Sequence, residues 1–257
     1  NLLVIEDSCH ALGSKWNNHY VGTQGDAAFF SSQWSKPVTT GLGGWAQVNS
    51  PHLRDKLEAT LHEYNPPRTA KAIQLALQFS AFRLLNHPRL FWIIQNIYRN
   101  LSDKGLAIGS STKGELCCEL PDEYQTGMHS IQLRQLSRLI QNIEHLVETR
   151  KSNSVLIENT LRKYGLPIIG VPSKSDPVFL RYPVQVSNKS YVLAEAQKHH
   201  IQLGDWFLSP IHPNLQNWGL AGYKSGTCPV AEELSRRVVN IPTGLEQNDK
   251  EILRTVE

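Results

Sequence analysis

LLVIEDSCHALGSKWNNHYVGTQGDAAFFSSQWSKPVTTGLGG, residues 2–44, holds two short apolar runs, each followed within a few residues by a group able to take part in carbonyl chemistry. After LLVI comes Asp7; after AAFF come Ser31 and then Lys36. Short apolar runs bounded by polar and glycine-containing turns predict buried strands of a parallel sheet. Ligands of open α/β sheets sit beyond the carboxyl ends of the strands, so Asp7, Ser31 and Lys36 are expected on one rim. The polar stretch from Asn17 to Gly25 predicts a turn or hairpin between these strands, and GGWAQVNS (43–50) predicts a further strand.

A lysine held partly neutral can attack a carbonyl and form a Schiff base, and pyridoxal phosphate enzymes pair such a lysine with an acid facing the pyridine nitrogen. Lys36 and Asp7 have those two residue types. The same residues admit a plainer reading, with Asp7 or Ser8 as the N-cap of a helix starting at Cys9 and Lys36 as a solvated surface charge.

VIEDSCHALGS (4–14), VGTQGDAAFFSS (21–32) and SKPVTTGLGG (35–44), in this order, resemble the core signature of DegT-type sugar aminotransferases. CPVAEELSRRVVNIPTG (228–244) resembles the closing motif of that family, so the likeness runs from residue 2 to the end and is weakest between 61 and 122. It implies an α/β chain of fold type I, with part of a large pyridoxal-phosphate-binding domain over 1–150 and a small C-terminal α+β domain over 151–257. Lys36 matches the lysine that carries the cofactor as a Schiff base, and Asp7 the partner of the pyridinium nitrogen. His10 stands where the family has a His or Gln near the ring, Ser31 where a hydroxyl binds the cofactor phosphate, and Gln33 where a neighbouring side chain faces the pocket. Gly41, Gly43 and Gly44 match a glycine-rich turn; Leu42 and Pro37 depart from the acid and the asparagine common there. In EYQTGMHSIQLRQL (123–136), Gln125 occupies the place of an Asn that reaches the phosphate of the neighbouring subunit's cofactor, where its amide can still donate, and Gly127 that of an Arg that follows, so this contact is altered. His212, in SPIHP, lies where a His often faces the sugar nucleotide.

The activity so implied is transamination of a nucleotide-linked keto-sugar through Lys36, with glutamate as amino donor and a homodimer as the working form. A dehydratase of the same family carries histidine in place of the lysine, and Lys36 argues against it. A dehydrogenase is disfavoured because no GxGxxG follows a strand. A non-catalytic or regulatory homologue with an incomplete cofactor site is the alternative.

The 257 residues are 40% hydrophobic, enough for a large core and two lobes, and a formal charge of +3 implies no nucleic-acid partner. Cys9, Cys117, Cys118 and Cys228 have no metal-ligand spacing, and a reducing, cytoplasmic compartment is expected. No apolar run is long enough to span a membrane. The sequence lacks a starting Met and opens within a strand pattern, so an N-terminally truncated chain with part of its cofactor cradle upstream is expected.

Beyond the lysine turn, Pro51 is expected to open a helix. Residues 61–104 read as an inserted helical hairpin, packed on the core or a second subunit; its basic and aromatic face between 70 and 100 would also suit peripheral contact with a membrane surface. A loop is expected from Gly105 to Asp122. Apolar periodicity from His129 to about Tyr164 predicts one long helix, with Arg134, Arg138, Arg150 and Lys151 on its solvated face. FLRYPVQV (179–186) and IQLGDWF (201–207) read as extended, Ser190–His199 as a helix capped by Ser190, and Cys228–Val239 as a helix led by Pro229.

Overall fold

A computed structural model describes residues 2–85, 90–103, 107–109, 119–120, 122–212 and 218–244. The quoted stretch forms most of a three-stranded sheet ordered β1-β4-β5, from β1 (Ile5–Asp7), β4 (Ala27–Ser31) and β5 (Gly44–Val48). β1 and β4 are parallel, with Asp7 opposite Phe29, so both strands end on the same side. β5 turns back antiparallel to β4 and sets Ser31 opposite Gly44. Ala27, Ala28 and Phe30 are buried, and Phe30 stacks on Trp45 at 5.1 Å. The first run differs from its expectation. Leu2, Leu3, Val4 and Ile5 are exposed, because β1 is an edge strand and no described element covers that face.

Between β1 and β4 lies the expected hairpin, β2 (Lys15–Trp16) and β3 (His19–Tyr20). Asn17 and Asn18 both adopt the left-handed conformation, at φ 49° and 67°, which asparagine tolerates and a two-residue hairpin turn requires. β2 also pairs with β6 (Ser175–Asp176), joining the N-terminal sheet to the C-terminal part of the chain.

Seven α-helices are described: α1 (Pro51–His62), α2 (Thr69–Leu85), α3 (Phe91–Asp103), α4 (Ser130–Ile140), α5 (Ile143–Lys163), α6 (Lys189–Lys198) and α7 (Pro229–Arg237). Pro51 opens α1 as anticipated, its missing N–H falling where no intrahelical bond is made. The segment expected to form a helical hairpin contains α2 and α3, and Trp92 Nε1 donates to Ile201 O at 2.8 Å, docking α3 on the C-terminal core. Ile93 and Ile97, one turn apart, remain exposed. Among the described residues no helix is long and apolar enough to cross a membrane. Most of the loop expected between Gly105 and Asp122, with Cys117 and Cys118, falls outside the described residues.

Five expectations need correction. The single helix over 129–164 is two helices, because Asn142 leaves helical geometry at φ −104°, ψ 17°. Arg150 is buried, not solvated. Asn188, not Ser190, caps α6; its side chain accepts from Tyr191 N at 3.0 Å. IQLGDWF forms only one bridge, Gly204 to Asn240, and Val238 and Val239 leave α7 to begin β8 (Val238–Pro242). β8 pairs antiparallel with β7 (Arg181–Gln185).

Tyr182 and Val184 of β7, Val239 and Ile241 of β8, Ile157 and Leu161 of α5, Ala196 and Leu203 make up the C-terminal core. Fully burying a side chain such as Ile157 contributes about 1.5–3 kcal/mol, and this core fixes the strand that carries Arg181 toward the first sheet.

Candidate active site

Each carboxyl-end residue of the first sheet is held by its own local bonds. Ser8 N donates to Phe29 O at 3.0 Å, continuing the β1–β4 ladder one residue past Asp7. Asp7 Oδ1 then accepts from Cys9 N at 3.1 Å, which closes a turn; no helix starts at Cys9, so the capping alternative reduces to this one bond. Glu6 accepts the N–H groups of Gly22, Gln24 and Gly25 at 2.7–2.8 Å. Burial alone would raise its pKa, but these three donors outweigh that and lower it, so an ionised Glu6 clamps the loop beside the site.

The lysine turn is built equally tightly. Lys36 N donates to Gln33 O, Thr40 N to Ser32 O and Ser32 N to Gly43 O. The Ser32 and Thr40 hydroxyls, both buried, share a 2.7 Å bond. Gly41 and Gly43 sit at φ 85° and 101°, open to glycine at little cost. From α4, Gln132 Nε2 donates to Leu42 O at 3.0 Å and Gln135 Nε2 to Thr39 O at 2.6 Å. The 123–136 motif therefore grips the lysine turn through Gln132 and Gln135, a role that sequence reasoning missed.

Lys36 is buried, and among the described residues its ammonium makes no hydrogen bond or ion pair. Burial lowers its pKa; the charge of Arg181 lowers it further, against Cys9 and Asp7, which act to raise it. Cys9 lies within the same field. Its thiol is pushed up to about 11, first by burial, then by the hydrogen bond and charge of Asp7, with Lys36 opposing. Asp7, Cys9 and Lys36 thus act on one another directly.

His10 completes this side. Its ring stacks against Trp206 and Phe207 at 6.4 Å each, and this crowding lowers its pKa, assisted by the charge of Lys36. His212 packs on the same pair, with ring centroids 5.6 Å from Trp206 and 5.7 Å from Phe207. The structure accordingly brings Asp7, His10, Lys36 and His212 to one locality, with Ser31 and Gln33 at the stem of the lysine turn. Ser31 Oγ accepts from Gln33 N at 3.3 Å, and Gln33 bridges Gly41. Gln125 is elsewhere: its carbonyl accepts from Asn65 N and its side chain is exposed.

Arg181, Trp206, Phe207 and Cys9 were not picked out from the sequence. The one usable signal was the adjacent aromatic pair in GDWF, six residues before His212; Arg181 sits within an ordinary strand pattern. Behind the aromatic pair, Lys189 Nζ donates to Phe207 O at 3.0 Å and Ser235 O at 2.9 Å. Lys189→Met is expected to cost about 1–3 kcal/mol in a urea titration, the penalty for losing two part-buried bonds of a buried ammonium, with folding otherwise retained.

An α/β frame whose parallel strand ends present an acid and a buried lysine matches, over 99% of this chain, a DegT DnrJ EryC1 StrS aminotransferase from Brucella abortus, with TM-score 0.65 and 18% identity. This match shows the fold, that of fold type I sugar aminotransferases. The model of the DegT/DnrJ/EryC1/StrS aminotransferase family matches residues 1–74 and 101–257, and the chain belongs to that family. The unmatched residues, 75–100, are the outer part of α2 and most of α3. GDP-perosamine synthase of Escherichia coli is 48% identical over 56 residues, 22% of this chain and 15% of that protein. An uncharacterised protein of Methanocaldococcus jannaschii is 22% identical across 100% of this chain and 58% of its own length. The chain spans 56% of the Brucella protein, so it corresponds to little more than half of such relatives.

Proposed function

We propose that the full-length protein is a pyridoxal-phosphate-dependent aminotransferase acting on a nucleotide-linked keto-sugar, with Lys36 as its reactive amine. The observation that carries this reading is the buried Lys36 ammonium of lowered proton affinity, unpaired among the described residues and beside the Asp7 carboxylate. The donor set fits the cofactor. Asp7 accepts from Cys9 N through Oδ1 and also engages the Cys9 thiol, and a carboxylate with several lone pairs keeps acceptor capacity for a protonated ring nitrogen. Ser31 Oγ accepts from Gln33 N and still has its own proton to give to a phosphate oxygen. His10 would pack near the ring and Gln33 would face the pocket.

Pyridoxal phosphate, when bound, supplies the carbonyl carbon and an electron-accepting ring. Lys36 Nζ would hold it covalently and, once freed by the donor, would take the proton from the donor's Cα. One positioned lysine serves both halves of a transamination, because the second half returns the same proton in reverse. Asp7 would hold the proton on the ring nitrogen. Relatives such as GDP-perosamine synthase support a sugar nucleotide as acceptor; His212, on the aromatic pair, is its proposed contact. Glutamate as donor and a homodimer belong to the same proposal, as does a trans contact from Gln125.

Adding pyridoxal phosphate to the full-length protein is expected to give an absorbance band near the visible edge that borohydride removes. Glutamate and a panel of nucleotide-linked keto-sugars should then yield an amino-sugar. A protein that gives no band sinks the enzyme reading in favour of a non-catalytic homologue.

A further inference from the structure

Arg181 opens β7, and its guanidinium lies 5.0 Å over the ring of Trp206. Nη1 presses on Gly204, where a Cβ would collide with it, so the absence of a side chain there makes room for the cation. The neighbouring Arg150 spends its guanidinium on Leu180 O and Thr243 Oγ1, both at 2.8 Å. Arg181 has no such use. It is half-buried, and among the described residues it makes no hydrogen bond and no ion pair; Asp205 acts on it only at longer range. Five N–H donors are thus partly withdrawn from water without an acceptor among the described residues, an arrangement that costs free energy unless a ligand supplies one. Lys36, Arg150 and His10 stand close enough to feel its charge, which makes the locality attractive to an anion.

The position selects the anion. Lys36 is the reacting amine, and an amino-acid donor carries its α-carboxylate on the very carbon that bears the exchanging nitrogen. Any productive pose therefore sets that carboxylate within a few ångströms of Lys36. A keto-sugar has no carboxylate at its reacting carbon, and its diphosphate is held away by the sugar ring. The planar guanidinium fork matches a carboxylate with two parallel bonds, and the Trp206 face fixes the plane of the fork. We propose that Arg181 binds the α-carboxylate of the amino-acid donor and so selects α-amino acids for the first half-reaction. This rests on the transaminase reading above.

The two half-reactions of the full-length, cofactor-loaded protein separate the claims. In Arg181→Leu the glutamate concentration that half-saturates loss of the cofactor band should rise about 30-fold or more, the range for truncating one partner of a buried charged bond. Calorimetric affinity for α-methylglutamate, which has no α-hydrogen to transfer, should fall by the same factor. Amination of the keto-sugar by protein already charged with the amino group should change less than about threefold. Arg181→Lys, which keeps the charge without the fork, should recover part of the donor affinity, and an unchanged band on adding cofactor shows that the variants retain the site. Equal loss in both half-reactions would assign Arg181 to the sugar nucleotide or to pocket shape and overturn the proposal, as would unchanged affinity for α-methylglutamate. If wild-type protein forms the band and aminates sugar, those results reject Arg181 alone; if it forms no band, both readings fall.

Discussion

Lys36→Ala is expected to lower transamination by the full-length protein by about 10³-fold or more, since it removes both the covalent holder and the proton carrier. The cofactor band should be absent in the same variant, and single-turnover mixing with glutamate is the measurement that checks the rate. A second consequence follows from the environment of the amine. Burial lowers its pKa from 10.5, so between the folded value and 10.5 the unfolded chain binds more protons than the native one. Stability due to Lys36 therefore rises with pH across that window, and at pH 7 the buried ammonium is a net cost. Lys36→Met should raise the urea midpoint of cofactor-free protein at pH 7, with the advantage over wild type shrinking as pH climbs toward 10.5. A variant less stable at pH 7, or an advantage that grows with pH, would show that the ammonium is better accommodated than its lack of partners implies.

The strands behind Lys36 were legible because apolar runs and polar, glycine-containing turns are local signals. Parallel pairing of β1 and β4 places Asp7 where the carboxyl-end rule expects it. Arg181 could not be read this way. Its proximity to Lys36 is created by β7 and β8 pairing 145 residues later in the chain, and FLRYPVQV alternates like any half-buried strand. Arg150 was misread for a related reason: helical periodicity places it beside Lys151, which does reach outward to Asp176 at 2.5 Å, but buried carbonyls at the start of β7 draw the guanidinium inward. Asn142 shows the opposite limit, since one polar residue with non-helical dihedrals splits a continuous apolar stripe that spacing alone carries through.

Arg150→Met is expected to be the most damaging single change outside the lysine turn. Arg150 Nη1 donates to Leu180 O and to Thr243 Oγ1, while Thr243 Oγ1 in turn donates to Phe179 O at 2.6 Å. Asn153, one turn further along α5, donates to Thr243 O at 2.8 Å. One guanidinium thereby joins α5 to the chain entering β7 and to the residue leaving β8. Burial, and then the charge of Arg181, lowers its pKa to about 10, so it remains charged at pH 7 and its bonds are of the charge-assisted kind. Methionine keeps the apolar stem but removes both charge-assisted bonds, leaving Leu180 O with only the Thr243 hydroxyl, which is shared with Phe179 O; each lost bond costs about 1–3 kcal/mol. A loss of about 2–5 kcal/mol is expected, read as a lower urea midpoint at unchanged slope. Because Leu180 is the residue before Arg181, loosening it should also weaken α-methylglutamate binding in whatever protein remains folded, whereas Lys189→Met, acting behind Phe207, should leave that affinity nearer to wild type. If Arg150→Met unfolds at the wild-type midpoint, the network around Thr243 is held by α5 packing alone and the guanidinium is dispensable.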